Sequence, residues 1–396
     1  MARAKRLAHD ERRICPSCTG NTHLKTWLAD QGTEGACSFC GGSEPTGRFD
    51  LFAAHVCLNV AKCLSPVSNP QEFDHHVSCE TAVQQLASVE PVVAAAIAAA
   101  GPWPEDWHGW FDDLFWSEKW HVEPGLAWGK VRRVLLEEAR YFGQAKDELD
   151  QLLGSIRSFR GGQAISQLTS QTTIYRARQA WTPDDRAQIL EAPERELGAP
   201  PKESARAGRM NSSGIPVLYG AFEEMVAVSE LRPSAGDVLV VGQFRPSRLL
   251  SILDLSALSD WPQSEVFGSG YEETAAKQQF LRDLDGELSE PVLLHQESIS
   301  YVPTQVISEY LHLAVGLDGI AYSSAQVPRT SQAGRRNVAL FGRAGHVAGK
   351  GAPGLDCGLE FVAGSARVVR VSGVEVSYEP HTDFDWRNYQ ALGGDE

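Results

Sequence analysis

The pattern of apolar and polar positions divides the chain into a helical first half and a strand-rich second half. Residues 80–100 keep apolar side chains at helical spacing and pass into an alanine-rich run, which Gly101 ends. Residues 130–159 repeat the helical pattern over a longer stretch, which predicts one long amphipathic helix. Short apolar or alternating runs, typical of strands, lie at 172–178, 237–244, 319–322, 338–341 and 360–378. Polar or mixed helical patterns at 273–284 and 304–315 make the second half α+β.

The most informative stretch lies at the centre of the second half. Residues 208–214 are rich in Gly, Asn and Ser, which predicts a flexible loop, and an apolar run at 215–219 predicts a strand. Residues 222–231 then carry apolar side chains at helical spacing. Tyr219 ends the strand, and Glu230 lies near the end of the helix. A phenol and a carboxylate are therefore expected on rigid elements beside the loop.

Composition limits the classes of protein that the chain can be. Its 396 residues are enough for two or three domains, and 42% of them are hydrophobic, as in ordinary globular proteins. The formal net charge of −15 disfavours non-specific binding to nucleic acid or to an anionic membrane by the whole chain. No apolar run is long enough to span a membrane, and the charged N-terminus does not look like a signal peptide. We therefore expect a cytoplasmic protein without a membrane partner.

Cysteine spacing predicts a metal site near the N-terminus. Seven of the eight cysteines precede residue 80, which without a secretion signal favours metal binding over disulfides. Cys15 and Cys18 form one CxxC pair, and Cys37 and Cys40 form a second pair after an eighteen-residue spacer. Two such pairs complete the tetrahedron of a closed, structural Zn²⁺ site, and the glycine after Cys40 permits the tight turn that the second pair needs. The sequence therefore predicts a zinc ribbon.

Two further clusters in the first half carry weaker signals. The irregular set His55, Cys57, Cys63, His75, His76 and Cys79 is more typical of packing residues than of a second metal site. Six of the ten tryptophans fall between residues 103 and 128, which favours a core or interdomain face, with a partner-binding surface as the alternative.

An ordered set of short motifs runs through the second half. An Arg lies at position 176, a Glu at position 230, and a pair of serines at Ser323 and Ser324. The other positions of the set are Gly208, Arg209, Asn211, Tyr219, residues 301–305 and Asn337. In this order the motifs resemble the RES family, whose name comes from an Arg, a Glu and a Ser, over roughly residues 172–345. The family Ser best matches Ser324, although the neighbouring Ser323 leaves the assignment ambiguous by one position.

The resemblance implies an enzyme that uses NAD⁺ as substrate and breaks its nicotinamide–ribose bond, with phosphate or water as the acceptor. It also implies a fold similar to that of ADP-ribosyltransferases. In biological terms it implies an NAD⁺-degrading toxin or phage-defence effector, with an antitoxin or activating partner acting through the N-terminal half.

Each matched residue suits part of this chemistry. The resemblance implies catalytic roles for Glu230, Arg176, Tyr219 and Ser324, and substrate-binding roles for Arg209, Asn211, Ser323 and Asn337. A carboxylate stabilises the positive charge that develops on the ribose, a guanidinium binds the pyrophosphate, and an aromatic ring suits the nicotinamide. The glycine-rich loop is expected to close over substrate.

These elements predict three domains: a zinc ribbon at 1–50, an α-helical domain at 51–164 and an NAD⁺-cleaving domain at 165–396. Every residue with a chemical role lies after position 170, so we expect the N-terminal half to regulate rather than catalyse. Two alternatives stay open. One is a protein ADP-ribosyltransferase, which Val228, two residues before Glu230, disfavours because transferases usually carry a second acid there. The other is a non-catalytic zinc-ribbon binding module. A monomer and a homo-oligomer both stay open.

Overall fold

The computed structural model describes residues 11–67, 78–101, 103, 115–118, 126–138, 145–258, 265–289, 297–327, 335–348 and 357–374. The chain forms two compact units, which interleave in sequence. The first unit is Met1–Ser155 with Ala257–Leu284, and the second is Ile156–Ser256 with Asp285–Glu396. The three-domain division made from the sequence stays a prediction. Among the described helices, none has the length and apolar character needed to cross a membrane.

The first unit begins with a small module that contains the two CxxC pairs. Strands β1 (Arg13–Ile14) and β2 (Gly47–Arg48) pair antiparallel, and helix α1 (Thr22–Gln31) lies between them in sequence. Asn21 caps α1 because its side chain accepts hydrogen bonds from the backbone N–H groups of His23 and Leu24 in the first turn of the helix. A helix is therefore inserted between the two cysteine pairs, which the spacing alone did not predict.

A helical core follows. Its elements are α2 (Phe49–Cys63), β3 (Leu64–Val67), α3 (Cys79–Ala87), α4 (Pro91–Ala100) and β4 (Phe115–Glu118), with β3 and β4 antiparallel. The helical pattern over 80–100 is thus two helices, because Ser88 adopts a left-handed backbone (φ 50°) and Pro91 starts a new helix. Phe49, Phe52 and Ile97 are fully buried at the centre of this core.

The structure describes some residues of the two weaker clusters in this unit, the His/Cys set and the tryptophans. His55 stacks on Trp27 with ring centroids 4.7 Å apart. Cys57 and Cys79 are buried in the apolar core, as expected of packing residues. Trp103 and Trp128 are buried as well. Positions 75 and 76, and the side chains of Cys63 and of the four tryptophans between 103 and 128, lie outside what the structure describes.

The predicted long helix over 130–159 is wrong at its C-terminal end. Helix α5 (Leu126–Arg133) continues as a π-helical turn (Val134–Glu138), and helix α6 (Ala145–Leu153) ends six residues early. The helix stops where Gly154 follows, and a Cβ at Gly154 would come within 2.4 Å of the carbonyl oxygen of Asp150. The apolar spacing continued past this glycine because the later side chains are buried in irregular turns.

In its described residues the second unit is built on a sheet of ten strands. Its strands are β5 (Ile165–Leu168), β6 (Ile174–Gln179), β7 (Val217–Ala221), β8 (Val238–Pro246), β9 (Leu250–Asp254), β10 (Gly319–Ser323), β11 (Arg336–Phe341), β12 (Val347–Ala348), β13 (Leu359–Phe361) and β14 (Arg367–Arg370). The order is β12-β13-β8-β6-β7-β11-β10-β9-β5, and β14 pairs with β8. Pairing is antiparallel except between β9 and β10 and between β12 and β13. Sheet and helices together give the α+β class that the pattern predicts.

Within the residues that the structure describes, six helices accompany this sheet along the chain. They are α7 (Pro183–Glu191), α8 (Pro193–Glu196), α9 (Glu224–Ser229), α10 (Tyr271–Ser289), α11 (Glu297–Ser300) and α12 (Val302–Leu313). The boundary between the two units falls inside α10. The strands and helices expected between 172 and 341 are present in the described residues, with ends shifted by a few residues. In its described part, the region expected as strand at 360–378 contains only β13 and β14, and residues 371–374 are not in a strand.

The sheet opens between β6 and β7. Within these two described strands only Tyr175 and Ala221 pair, whereas β6 pairs with β8 along its whole length. Across β7, β11 and β10 the register aligns Ala221 with Asn337, and Asn337 with Tyr322. The sheet therefore carries Tyr175, Asn337 and Tyr322 in one row beside the opening, on the side where α9 packs.

Candidate active site

Glu230 lies directly after α9, and its carboxylate is held by two donors. The Ser324 hydroxyl donates to Oε1 at 2.6 Å, and the Asn337 Nδ2 donates to the same oxygen at 2.7 Å. Within the described part of the chain no hydrogen bond reaches Oε2. The neighbouring Ser323 turns elsewhere, because its hydroxyl and its backbone N–H both bond the Asp285 carboxylate at 3.0 Å. Of the two serines, Ser324 is therefore the one that contacts Glu230.

The two donors are themselves fixed in place. Ser324 is fully buried, and its oxygen accepts the backbone N–H of Gln326 at 3.1 Å, which directs the hydroxyl proton towards the carboxylate. Asn337 is 2% exposed, and its Oδ1 has no hydrogen-bond partner among the described residues. One carboxylate oxygen is thus positioned by rigid strand ends, while the other remains available for a ligand.

Tyr219 anchors the glycine-rich loop through its hydroxyl. The hydroxyl donates to Asn211 Oδ1 at 2.7 Å and accepts the backbone N–H of Met210 at 2.9 Å. Burial raises the pKa of Tyr219 well above its ordinary value, so the phenol stays neutral. A Cβ at Gly208 would lie 2.7 Å from this hydroxyl, so only glycine fits the turn.

Asn211 is committed to the same turn. Its Nδ2 lies within hydrogen-bond distance of three backbone carbonyl oxygens, those of Arg206, Ser212 and Ile215, at 2.8 to 3.1 Å. Since its Oδ1 accepts from Tyr219, both ends of the amide are engaged within the protein. The substrate-binding role assigned to Asn211 from the sequence stays a prediction, and its contacts favour a positioning role.

The N-terminal end of α12 holds the other side of this loop. The Thr304 hydroxyl donates to the carbonyl of Arg209 at 2.6 Å, and the Gln305 amide donates to the carbonyl of Gly208 at 2.8 Å. The motif at 301–305 therefore supports the turn at 208–211. These hydrogen bonds tie the turn to α12, and the loop closure expected from the sequence stays a prediction.

A prediction follows for the Tyr219 hydroxyl. Tyr219→Phe leaves the ring but strips the Met210 N–H and the Asn211 Oδ1 of their partner, and leaving a buried polar group unpaired costs about 1–3 kcal/mol. We expect the free energy of unfolding, measured by urea denaturation, to fall by about that amount. Tyr175→Phe is the matched control, because no hydrogen bond engages its hydroxyl among the described residues. Equal stability of the two variants would contradict the anchoring role.

Arg209 lies beside the cavity that contains Glu230. Its guanidinium stacks over the Tyr301 ring at 5.2 Å, and its Nη1 donates to the backbone carbonyl of Glu287 at 3.1 Å. These two contacts hold the Arg209 side chain along the wall of the cavity. Arg209, Tyr219, Glu230, Tyr301, Tyr322 and Asn337 line this cavity of about 380 Å³.

Of these lining residues, Tyr322 received no role from the sequence, and Tyr301 entered only as the first residue of the motif at 301–305. Burial, and next the charge of Glu230, raise the pKa of Tyr322 well above its ordinary value. A neutral phenol close to Glu230 can donate a hydrogen bond or stack on a planar ring. The clue available in the sequence was the position of Tyr322 immediately before the serine pair.

Arg176 lies where β6 and β7 separate. Its Nη1 is buried without a hydrogen-bond partner among the described residues. Burial, and next the charge of Arg178, lower the pKa of Arg176 to about 10, which still leaves it protonated at neutral pH. Arg176, Tyr219 and Glu230 line a cavity of about 250 Å³. A partly buried cation whose Nη1 lacks a partner among the described residues is suited to an anionic ligand.

The four cysteines predicted to bind metal form one cluster in the first unit. The Sγ atoms of Cys15 and Cys18 are 3.7 Å apart, those of Cys15 and Cys40 3.4 Å, and those of Cys18 and Cys37 3.5 Å. All four sulfurs lie within 4.8 Å of one another. Tetrahedral Zn²⁺ with Zn–S bonds of about 2.3 Å would place them about 3.8 Å apart. The cluster therefore fits such an ion and is compatible with a zinc ribbon.

The second pair also has the backbone that a metal knuckle needs. Gly41 has a φ of 71°, and the backbone N–H of Gly42 lies 3.4 Å from the Cys40 sulfur. A left-handed glycine at this position was the expectation from the sequence. Backbone N–H groups aimed at thiolates are a common support for metal-bound cysteines.

Comparison with known proteins identifies the part of the chain that carries the Glu230 site. Residues 173–360 match the model of the RES domain family. No curated protein and no solved structure matches the chain. The predicted likeness to the ADP-ribosyltransferase fold accordingly stays a prediction.

Proposed function

We propose that this chain, whose residues 173–360 are a RES domain, is an enzyme that cleaves the nicotinamide–ribose bond of NAD⁺. The RES family is associated with NAD⁺-related toxin and effector activity. Arg176 and Glu230 line one of two adjoining cavities in the second unit, and Ser324, which lines neither cavity, donates a hydrogen bond to Glu230.

The observation that carries the proposal is the geometry of Glu230. Its Oε1 is fixed by Ser324 and Asn337, and its Oε2 has no donor within the described residues. When the nicotinamide leaves, it takes the electron pair of the C–N bond as neutral nicotinamide, and positive charge develops on the ribose. A fixed carboxylate beside that ribose stabilises the charge without having to reorganise during the reaction.

The acceptor then bonds to the anomeric carbon. Water gives ADP-ribose and releases a proton, whereas phosphate gives ADP-ribose-1″-phosphate. Tyr219, Tyr301 and Tyr322 line the cavity of about 380 Å³, and their aromatic rings suit stacking on the flat nicotinamide. Ser323, bonded to Asp285, acts in this proposal by positioning its neighbour Ser324 rather than by contacting substrate.

Arg176 is proposed to bind the pyrophosphate. It lines the cavity that contains Glu230, and its Nη1 lacks a partner within the described residues. Arg176→Ala should weaken NAD⁺ binding about a hundredfold, within the range for losing a buried charged partner. Arg176→Lys should recover part of the affinity, because it restores the charge but not the two-pronged hydrogen bonding. Isothermal titration measures both.

The control for Arg176 is Arg370→Ala, which removes the same charge from an exposed position on β14. It should leave NAD⁺ affinity unchanged. If Arg176→Ala binds NAD⁺ as tightly as the parent, Arg176 does not contact the pyrophosphate.

Hydrolysis or phosphorolysis is favoured over transfer to a protein. Val228, two residues before Glu230, is a partly buried apolar residue packed against the α9 core cluster. Val228 cannot act as the second acid that would activate a protein side chain, which disfavours protein ADP-ribosylation. That reaction is kept as the alternative.

We further propose that the cysteine cluster holds one structural Zn²⁺ ion and that the first unit regulates the second. All candidate site residues other than the four cysteines belong to the second unit. The first unit is then the place for an antitoxin or activating partner to act. The toxin or defence role rests on the family association alone.

The test of the proposed function is incubation of the purified full chain with NAD⁺, with and without phosphate, followed by mass analysis of the products. We expect nicotinamide together with ADP-ribose or its 1″-phosphate. The phosphate dependence identifies the acceptor. Intact NAD⁺ under both conditions would overturn the proposal.

A further inference from the structure

A second, larger cleft adjoins the candidate site in the second unit. It has a volume of about 840 Å³ and shares Arg176, Ala177 and Leu231 with the 250 Å³ cavity that contains Glu230. Arg176 therefore lines both the larger cleft and the 250 Å³ cavity. A ligand whose anionic centre lies at Arg176 can extend in two directions, towards Glu230 and into the larger cleft.

Trp181 is the distinctive residue of this larger cleft. Its side chain is 69% exposed, although tryptophan is usually among the more buried residues. The backbone around it is well held. Ala180 before it is fully buried, and Thr182 after it forms a capping box with Asp185 at the start of α7. A rigidly mounted indole facing solvent in a cleft is suited to stack on a planar ring.

The charge of the cleft favours an anionic ligand. Its lining includes four arginines and two carboxylates, a surplus of two positive charges. Arg178 and Arg195 share the single carboxylate of Glu196, at 2.6 Å and 2.8 Å. Burial opposes ionisation of Glu196, but the hydrogen bonds from Arg195 and Arg178 hold its pKa below the ordinary value.

The other charged residues of the cleft also favour an anionic ligand. The Asp185 carboxylate is occupied by the capping box, where it accepts the Thr182 backbone N–H at 2.8 Å. Within the described residues neither Arg176 nor Arg206 has an ion-pair partner. The cleft thus combines one exposed aromatic face with guanidinium groups that lack an ion-pair partner among the described residues. An aromatic face of this kind can stack on a base, and guanidinium groups bind phosphates.

We propose that this cleft binds the adenylate half of the dinucleotide, with the adenine on Trp181 and the diphosphate at Arg176. The inference rests on the proposed function in that it takes NAD⁺ as the ligand. It assigns Trp181 as a specificity residue that distinguishes NAD⁺ from nicotinamide mononucleotide, which lacks the adenylate half.

Binding of ligand fragments tests this assignment without any turnover. The parent should bind AMP and ADP-ribose in isothermal titrations. Trp181→Ala should weaken both by about five- to a hundredfold, the range for loss of one base stack. Trp181→Phe should retain most of the affinity, because it keeps an aromatic face. Nicotinamide mononucleotide should bind equally to the parent and to both variants.

Leu249→Ala is the control, since it removes another exposed apolar side chain, 59% exposed, from the second unit outside this cleft. It should bind AMP as the parent does. Because Trp181 lies at the surface, Trp181→Ala is expected to keep the parent circular dichroism spectrum. Absence of AMP binding to the parent, or equal AMP affinity in Trp181→Ala and the parent, would overturn the assignment.

Kinetics separate this inference from the proposed function. If NAD⁺ is cleaved, Trp181→Ala should raise KM for NAD⁺ and leave the turnover of nicotinamide mononucleotide unchanged. If Trp181→Ala cleaves NAD⁺ with an unchanged KM, the adenylate site is contradicted, whereas the proposed function is not affected. Trp181-dependent AMP binding without NAD⁺ cleavage would support the site and overturn the proposed function.

Discussion

Glu230→Gln should lower the rate of nicotinamide release by about a hundred- to a thousandfold, the usual effect of removing one preorganised electrostatic contact. The substitution is nearly isosteric. The amide oxygen can still accept the hydrogen bonds that Ser324 and Asn337 donate to Oε1, so the side chain keeps its place. Only the negative charge that stabilises the developing oxocarbenium is removed. NAD⁺ affinity should therefore survive while turnover falls.

The matched control is Glu309→Gln on the exposed face of α12, which removes the same charge away from the cavities. Both variants should show the parent circular dichroism spectrum. Turnover in Glu230→Gln at the parent rate would remove Glu230 from the mechanism and bring the binding-module alternative forward.

Loss of the metal should affect stability more than any other change. The purified chain should carry about one zinc ion, and Cys37→Ser or a strong chelator should remove it. The apparent binding energy of structural zinc reaches about 10–16 kcal/mol in small zinc-binding peptides. That is comparable to the whole stability of a typical domain, about 5–15 kcal/mol. We therefore expect unfolding of the N-terminal module, measured by elemental analysis together with thermal denaturation.

Cys357→Ser is the control for this experiment. Cys357 is a half-buried free cysteine in the second unit, remote in sequence from the two CxxC pairs. It should keep full zinc content and an unchanged melting temperature. Full metal content in a Cys15→Ser/Cys37→Ser double variant would contradict the assignment of the cluster.

Several features were accessible from the sequence because they depend on local spacing. Cys15, Cys18, Cys37 and Cys40 follow the spacing of metal knuckles, and the structure brings them together. The family motifs singled out Glu230, Ser324 and Asn337, and the structure brings these three side chains into contact, while their roles stay a prediction. The predicted RES domain is confirmed by the match over 173–360.

Other features depend on contacts between distant segments and were not accessible. Ser323 and Ser324 look equivalent in sequence, and only the fold shows that one contacts Glu230 and the other Asp285. The sequence suggested a role for the Tyr219 ring, and only the fold shows that its hydroxyl bonds Asn211. Trp181 carries no motif, and its exposure appears only in the folded chain.

The helix prediction shows the limit of periodicity. Apolar spacing continued through residues 154–159, yet Gly154 ends α6 and the later side chains are buried in turns. Burial imposes an apolar pattern whatever the backbone does. A glycine within such a pattern is the signal that should have shortened the predicted helix.

The most direct test of NAD⁺ cleavage at the Glu230 site is product stoichiometry in a single reaction of the full chain. NAD⁺ carrying a labelled nicotinamide and a labelled adenine is incubated with the parent, and nicotinamide, AMP and protein-bound label are counted. We expect one free nicotinamide for each NAD⁺ consumed, with neither AMP nor labelled protein. Release of AMP would place the cut at the pyrophosphate, and adenine label on protein would favour the transferase. NAD⁺ that stays intact would contradict the account.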